Sequence, residues 1–244
     1  MSNLAVQFIN HSKDSVSLVP ADESFKARLR EYFQYQIDTS SYYACIFNKL
    51  GLGPSDDPFN TLSELPLTTK NEYRETLQLE AFTKLNGSSF VTDFSSGSTA
   101  DSVLRLCSPV DDLAEQHVTE NAFAAVGMGP EDHFVCMDIG GTEIYDFYFR
   151  AARNLGVKRT SFMHLTQNYR QSCLPLKKLQ PTVLLTVPSL LIRAWETISD
   201  YWEGSDCPIK TVIHMGEPMD SNFKVMVEER WGCEVRSFYG TTET

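Results

Sequence analysis

An α/β fold, in which a mostly parallel β-sheet is flanked by helices, is predicted from three features of the sequence. Apolar segments begin near residues 133, 157, 182, 210 and 233, and this spacing leaves room for one crossover helix between successive strands. The segments 182–187 (TVLLTV) and 211–215 (TVIHM) are almost continuously apolar, as strands buried on both faces are. The chain has 244 residues, of which 42% are hydrophobic, and this is enough to bury one large core.

The first 88 residues are predicted to form a mainly helical segment packed on the same domain. Apolar residues recur there at helical spacing, at Phe25, Leu29, Tyr32, Phe33 and Ile37. Turn-forming residues crowd 51–58, and Thr68 or Thr69 is then predicted to cap a helix that starts at Lys70.

Residues 89–244 are predicted to form the α/β region. Segments 89–94 and 102–106 alternate like two strands around a turn rich in hydroxyl groups. Ser108, Pro109 and Asp111 then match a helix start, with a hydroxyl cap, a proline at the first helical position and an acid three residues after the cap. A helix is therefore expected from Pro109 to about Val126. Its apolar face is predicted to comprise Val110, Leu113, Val118, Ala122 and Val126.

The charge and the cysteines exclude several classes of function. A net charge of -11, from 32 acidic and 21 basic residues, argues against a general affinity for nucleic acid or anionic membranes. Any anionic ligand must therefore be attracted by a local site.

The sequence shows no secretory leader and no apolar run of membrane-spanning length, and its six cysteines form no C-x-x-C pair. A cytoplasmic protein with reduced thiols is expected.

Ligands of parallel sheets gather where the strands end, so the segments that follow the predicted strands are the candidate site. These segments are 138–141, 161–164, 188–189, 216–218 and 239–243. A zinc site at His214, Cys207 and Cys233 is a weaker alternative, because single Cys and His residues on strands are usually core residues.

The hydroxyl-rich turn SSGSTADS (95–102) has the composition of a phosphate-binding loop. Gly97 would let backbone N–H groups approach an anion, and Ser96, Ser98 and Thr99 could donate to phosphate oxygens. A flexible hairpin loop is the alternative interpretation. The Walker pattern, G-x-G-x-x-G and the G-x-S-x-G of serine hydrolases are all absent from the sequence.

Five segments together resemble the adenylate-forming superfamily, and most closely its phenylacetate–coenzyme A ligase branch. LSELPLTTKNEYRE (62–75) is similar to the family segment that precedes the phosphate loop, and SSGSTADS is similar to the loop T-S-G-T-T-G-K-P. LQPTVLLTVPSLL (179–191) is similar to a sheet segment, MGEPM (215–219) to the G-G-E-P turn, and YGTTE (239–243) matches Y-G-x-T-E at every fixed position. The resemblance covers nearly the whole chain.

This resemblance implies ATP-dependent activation of a small aryl or short acyl carboxylic acid. The acid attacks the α-phosphate of ATP, and a thiol, of coenzyme A or of a carrier protein, then displaces AMP. The resemblance implies catalytic roles for Thr242, which would contact the α-phosphate, and for Glu243, which would bind Mg²⁺. Cofactor-binding roles are implied for Ser95, Ser96, Gly97, Ser98 and Thr99 on the β- and γ-phosphates, and for Gly216, Glu217, Pro218, Tyr239, Gly240 and Thr241 around the rest of the nucleotide. Gly140, Gly141, Tyr145 and Pro188 would line the acid pocket.

Two departures from the family pattern leave other interpretations open. Asp101 stands where the family usually has a lysine, and a misplaced unit charge costs up to about 4 kcal/mol against a phosphate at roughly 4 Å. Asp101 could point away, Arg105 could compensate, or nucleotide binding could be weak.

Nothing after Thr244 supplies the family's small C-terminal domain, so the chain is expected to be an N-terminal portion. The alternatives are a carrier-protein adenylating enzyme or a catalytically inactive nucleotide- or acyl-binding module. The resemblance is compatible with a homodimer.

Overall fold

The computed structural model describes residues 22–80, 91–94, 103–138 and 142–240. The chain divides into two compact units, one of residues 1–114 with 242–244 and the other of residues 115–241. Within the described ranges no helix combines the length and the apolar character that a membrane span needs. The predicted division of the chain at residue 88 stays a prediction.

The first unit begins with helices, as its apolar periodicity predicted. They are α1 (Glu23–Thr39), α2 (Ser41–Leu50), α3 (Pro58–Glu64) and α4 (Lys70–Glu72), and α4 continues as a π-helix over Tyr73–Leu77. Each of the four α-helices has a side-chain cap, from Asp22, Ser40, Asp57 and Thr69 in turn. Thr69 and Glu72 form a reciprocal capping box, which confirms one of the two predicted caps.

A hairpin and a long helix follow in the chain. Strands β1 (Val91–Phe94) and β2 (Leu104–Cys107) pair antiparallel, and helix α5 (Pro109–Ala125) begins after Ser108, as predicted. The predicted apolar face of α5 is wrong at Val110 and Leu113, which are exposed, and it omits the buried Gln116 and Phe123. Its last residue, Val126, packs against the core as predicted. The Gln116 amide is satisfied by Arg150 and Glu120, so a polar residue occupies a buried position that an apolar pattern cannot reveal.

The second unit is a five-stranded parallel sheet with connecting helices. In chain order its elements are β3 (His133–Asp138), α6 (Thr142–Asn154), β4 (Arg159–His164), α7 (Tyr169–Leu179), β5 (Val183–Thr186), α8 (Pro188–Ile198), a 3₁₀ turn (Gly204–Asp206), β6 (Thr211–His214), α9 (Ser221–Trp231) and β7 (Glu234–Ser237). The strand order is β4-β3-β5-β6-β7. Every strand starts within two residues of its predicted position, so the α/β prediction is confirmed.

Both faces of this sheet are buried, and alternate residues of each strand serve the two faces. Val135, Leu184 and Val212 pack with α7, α8 and α9, whereas Phe134, Leu185 and Ile213 pack with α5 and α6. This two-sided burial explains the near-continuous apolar segments in the sequence.

A polar network joins the strands at the amino edge of the sheet, the edge at which the strands begin. The Asp132 carboxylate accepts hydrogen bonds from the Thr182 hydroxyl (2.7 Å) and the Gly129 N–H (2.9 Å), and it pairs with Lys210 (3.3 Å). His133 Nδ1 lies 2.7 Å from the Leu179 carbonyl oxygen and must donate to it. The other nitrogen, Nε2, then accepts from the Ser161 hydroxyl (2.8 Å).

Replacing Asp132 by Asn is expected to lower the free energy of unfolding by about 2 kcal/mol, because a buried charge-assisted network is broken. Burial alone would raise the pKa of Asp132, but the hydrogen bonds from Thr182 and Gly129 and the charge of Lys210 lower it. This stabilisation is therefore present above the ordinary pKa of 3.8 and is lost as the pH falls through the lower folded-state pKa. Urea unfolding at several pH values measures it. Asp206→Asn, at an exposed site, is the control and should change stability by less than about 0.5 kcal/mol. Equal effects of the two substitutions would contradict this role.

Candidate functional site

The carboxyl edge of the sheet gathers the predicted loop segments. Strands β3 to β7 run parallel, so their last residues lie along one edge, and the pairing places Asp138 beside His164, Thr186 beside His214, and His214 beside Ser237. Each of these five residues ends a strand and is polar, so the buried core gives way to polar positions along this edge.

The order of the strands marks one point along this edge. Chain connections run outward in opposite directions from β3 and β5, so the switch point of the topology lies between these two strands. Open α/β sheets bind ligands at such a point. Pro188 follows β5 there and is buried in the first turn of α8. Residues 139–141, which follow β3 and include Gly140 and Gly141, lie outside the described residues.

The turn after β6 is tied to the start of α8. One Glu217 carboxylate oxygen accepts from the Ser189 N–H (3.0 Å), and the other accepts from the Ser189 hydroxyl (3.0 Å). Helix α8 has no side-chain cap of its own at Val187, so Glu217 supplies a carboxylate to its N-terminus from another loop. Glu217 was predicted to bind the nucleotide. In the structure its carboxylate contacts Ser189, and we call these two hydrogen bonds the Glu217 clasp. Ser189 was not among the predicted site residues, because only the folded sheet brings it to Glu217.

Gly216 gives the turn its shape. Its φ is +79°, a conformation that residues with a Cβ rarely adopt, and no neighbouring atom restricts the space beside it. Glu217 and Pro218 follow it on the exposed surface. The Gly216–Pro218 segment is therefore an open turn fixed at one point by the Glu217 clasp.

Tyr239 follows Phe238, which is held by a backbone hydrogen bond and by ring packing. The Phe238 N–H donates to the His214 carbonyl (2.8 Å), and the Phe238 ring stacks on Phe123 at a centroid distance of 5.7 Å. The next residue, Tyr239, is 92% exposed, so its ring presents a flat face beyond the edge of the sheet. Gly240 is exposed beside it.

His214 is the buried titratable group of this edge. Burial lowers its pKa, a backbone hydrogen bond to Glu217 opposes the shift, and the charge of Lys224 adds to it. Its Nδ1 atom is buried without a hydrogen-bond partner among the described residues. The imidazole is therefore neutral at pH 7.

The cysteines do not support a metal or nucleophile site in the described part of the chain. Burial raises the pKa of the Cys233 thiol to about 12 and that of Cys173 to about 11, so both thiols stay protonated. The described residues contain no group of three or more His, Cys, Asp or Glu side chains that could hold a metal ion. The zinc alternative at His214, Cys207 and Cys233 therefore finds no support in the described residues.

The other predicted site residues have no described side chain. Tyr145 lies in α6, with only its backbone described. The phosphate-loop residues and the terminal segment lie outside the described residues. These are Ser95, Ser96, Gly97, Ser98, Thr99, Thr241, Thr242 and Glu243.

Comparison with solved structures identifies the fold. No protein-family model and no curated protein matches the chain. The chain is similar to 2-hydroxyisobutyryl-CoA ligase in an open conformation in complex with 2-HIB-AMP and CoA, with a TM-score of 0.75, 18% identity, and coverage of 97% of this chain and 60% of that one. It is also similar to the same ligase in complex with 2-HIB-AMP and CoA in the thioesterification state, with a TM-score of 0.73, 19% identity, and coverage of 95% and 51%.

These matches define the class of fold. The matched structures are acyl-CoA ligases of the adenylate-forming superfamily, and the match covers the N-terminal portion of their chains. The chain spans about 60% of the length of the first of them. Its fold is that of this N-terminal portion, as the resemblance in the sequence predicted. The phenylacetate–coenzyme A ligase branch stays a prediction.

Removing either partner of the Glu217 clasp is expected to destabilise the second unit. Glu217→Ala should cost about 1 kcal/mol of unfolding free energy, since it removes the helix cap. Ser189→Ala should cost about 0.5 kcal/mol, since it removes only the hydroxyl hydrogen bond and keeps the backbone N–H bond. The double variant should cost less than the sum, with a coupling of at least about 0.5 kcal/mol. Urea unfolding of the four proteins measures this coupling. Glu229→Ala, at an exposed position of α9, is the control, and strictly additive costs would contradict the clasp.

Acidification is expected to destabilise the fold through His214. Because its folded-state pKa lies below the ordinary 6.5, the stabilisation is present above that value and is lost as the pH falls through the folded-state pKa. The free energy of unfolding should fall by up to about 1.4 kcal/mol per pH unit for this group. His214→Gln should reduce this loss of unfolding free energy between pH 7 and pH 5, as measured by urea unfolding at each pH. An equal loss in wild type and His214→Gln would contradict this assignment.

Proposed function

We propose that this chain is the N-terminal portion of an AMP-forming acid–thiol ligase. Such an enzyme activates a small aryl or short acyl carboxylic acid with ATP and transfers the acyl group to a thiol. The observation that carries the proposal is the alignment of three loops on one edge. The start of α8, the Gly216–Pro218 turn and Tyr239 follow the neighbouring strands β5, β6 and β7.

The adenine end of ATP would bind along this edge. The exposed ring of Tyr239 offers a stacking surface, and the open turn at Gly216 offers backbone groups for polar contact. Glu217 would act by holding this turn against α8 through Ser189. Gly240 and Thr241 would continue the same binding segment.

The phosphate end would be held by the two hydroxyl-rich segments. Ser95, Ser96, Gly97, Ser98 and Thr99 would bind the β- and γ-phosphates, and Thr242 would contact the α-phosphate. Phosphoryl and nucleotidyl transfer depend mainly on positioning and on charge neutralisation, which hydroxyl and N–H donors supply. The Glu243 carboxylate is the hard oxygen donor that Mg²⁺ prefers, and Mg²⁺ when bound would neutralise phosphate charge.

The acid would bind beside the switch point of the sheet. Gly140, Gly141, Tyr145 and Pro188 follow the two strands that flank this point, and small and aromatic residues suit a flat acyl group. The thiol acceptor proposed is coenzyme A, and the similar ligase was crystallised with CoA. A carrier-protein thiol is the alternative acceptor. The cytoplasmic location and a homodimer likewise stay predictions.

A nucleotide- or acyl-binding module without catalysis is the second candidate. It is favoured by Asp101, a carboxylate in the proposed phosphate loop. This module would bind nucleotide without exchanging pyrophosphate.

Acid-dependent exchange of labelled pyrophosphate into ATP tests the ligase proposal. We expect exchange with at least one aryl or short acyl acid from a panel, and a loss of about a hundredfold or more in Glu243→Gln, because a charge-neutralising group is removed. Exposed Glu229→Gln is the control and should keep full exchange. Coenzyme A and a phosphopantetheine carrier, added separately, then identify the acceptor. ATP binding without exchange for any acid would favour the binding module, and absence of ATP binding would contradict both candidates.

Replacing Asp101 by Lys is expected to tighten ATP binding, because a repelling charge becomes an attracting one near the phosphates. The gain should be at least about tenfold, well below the roughly 4 kcal/mol upper bound for an unscreened pair. Titration calorimetry measures it, and Asp206→Lys controls for the change in net charge. Equal affinities of the two variants would show that Asp101 lies away from the phosphates.

A further inference from the structure

Positive charge is concentrated in one stretch of this acidic chain. Residues 147–195 contain eight of the 21 lysines and arginines and none of the 32 acidic residues. The chain as a whole carries a net charge of -11, so the charge of this stretch is opposite in sign to that of the whole chain. A segregation of this kind points to a local surface that attracts anionic groups.

Five of these cations form what we call the basic face. Lys158 lies directly before β4, which is an edge strand of the sheet, Arg159 is the first residue of β4, and the other three lie on the helix α7 that follows it. These three are Arg170, Lys177 and Lys178. All five are exposed. Helix α7 runs back along the sheet, so its last turn and the start of β4 lie at the same edge, the amino edge. Four of the five cations, all but Arg170, are therefore placed at that edge, away from the proposed ATP site.

The basic face is not neutralised by the carboxylates that the structure describes. Within residues 22–80, 91–94, 103–138 and 142–240, none of the five cations forms an ion pair. Arg159 donates to the Glu131 backbone carbonyl (3.3 Å), and Lys177 lies over the Tyr201 ring at 5.8 Å. Arg230, in contrast, pairs with both Asp200 and Glu203 at 2.9 Å.

A partly apolar groove lies beside the basic face. It runs between β4 and α7 and has a volume of about 740 Å³. Its lining combines apolar side chains with polar ones, namely Phe162, Met163, Pro175 and Leu179 with Ser161, His164, Thr166, Gln171 and Ser172. Leu174, on the neighbouring turn of α7, is 57% exposed. Apolar side chains beside polar and charged ones are typical of a protein-binding surface.

Strand β4 has one paired side and one outer side. It pairs with β3, and no other strand in the described part of the chain pairs with it. The N–H and C=O groups on its outer side can accept an added strand. We propose that the β4–α7 surface docks an extended acidic segment of a partner protein, which adds as a strand to β4 and places its carboxylates against the basic face.

Charge and shape favour this partner over a nucleic acid. A phosphate backbone needs cations and hydrogen-bond donors, but it gains nothing from the apolar part of the groove at Phe162, Pro175 and Leu179. The acidic remainder of the chain would also repel a long polyanion, whereas a short acidic segment is confined to the basic face.

A designed peptide tests the proposal with the chain as it stands. The probe is a fluorescein-labelled peptide of alternating Glu and Val, roughly ten residues long, as strands are. Fluorescence anisotropy should show binding that weakens as salt is added, because the contacts are ionic. Lys158→Glu with Lys178→Glu should weaken it by about tenfold or more. Lys49→Glu with Arg236→Glu makes the same charge change at exposed positions elsewhere and should change the affinity by less than about twofold.

Two control peptides and a nucleic acid complete the test. A peptide with Lys in place of Glu should not bind, and a peptide of unchanged charge with Pro in place of alternate Val residues should bind at least about tenfold more weakly, because proline cannot donate to a strand. Circular dichroism confirms that the variants are folded. The proposal is overturned if the two double variants bind equally, if the proline peptide binds as well as the probe, or if duplex DNA binds more tightly than the probe.

Discussion

Burial of the parallel sheet on both faces is the constraint on which the rest of this structure depends. Met137, Leu184 and Ile213 have no exposed surface, and the strands that carry them are covered by helices on each side. Polar groups cannot enter such a core without a partner, so they collect at the two edges where the strands begin and end. The polar groups of the buried strands are therefore found at these edges.

The two edges use their polar groups differently. At the amino edge Asp132 has three partners and His133 has a partner at each ring nitrogen, so these two buried groups are satisfied within the fold. At the carboxyl edge His214 Nδ1 has no partner among the described residues, and Tyr239 projects beyond the core. The buried network at Asp132 and His133 stabilises the fold, whereas the exposed ring of Tyr239 is accessible to a ligand.

Local patterns in the sequence predicted the elements, because the physics that forms them is local. Strand starts followed from continuous apolar segments, and the start of α5 followed from Ser108 and Asp111. Contacts across the sheet did not follow, since Glu217 meets Ser189 and Thr182 meets Asp132 only when the strands have paired. Roles for Ser98 and Glu243 came from the resemblance to a family, and the fold alone does not test them.

The central claim is that ATP binds at the carboxyl edge of the sheet, and photolabelling tests it most directly. The chain would be irradiated with 8-azido-ATP, digested, and its labelled peptides identified by mass spectrometry. The account predicts label within residues 215–218 or 238–243, suppressed by unlabelled ATP. Label confined to the amino edge, around residues 129–133 or 180–182, would contradict it.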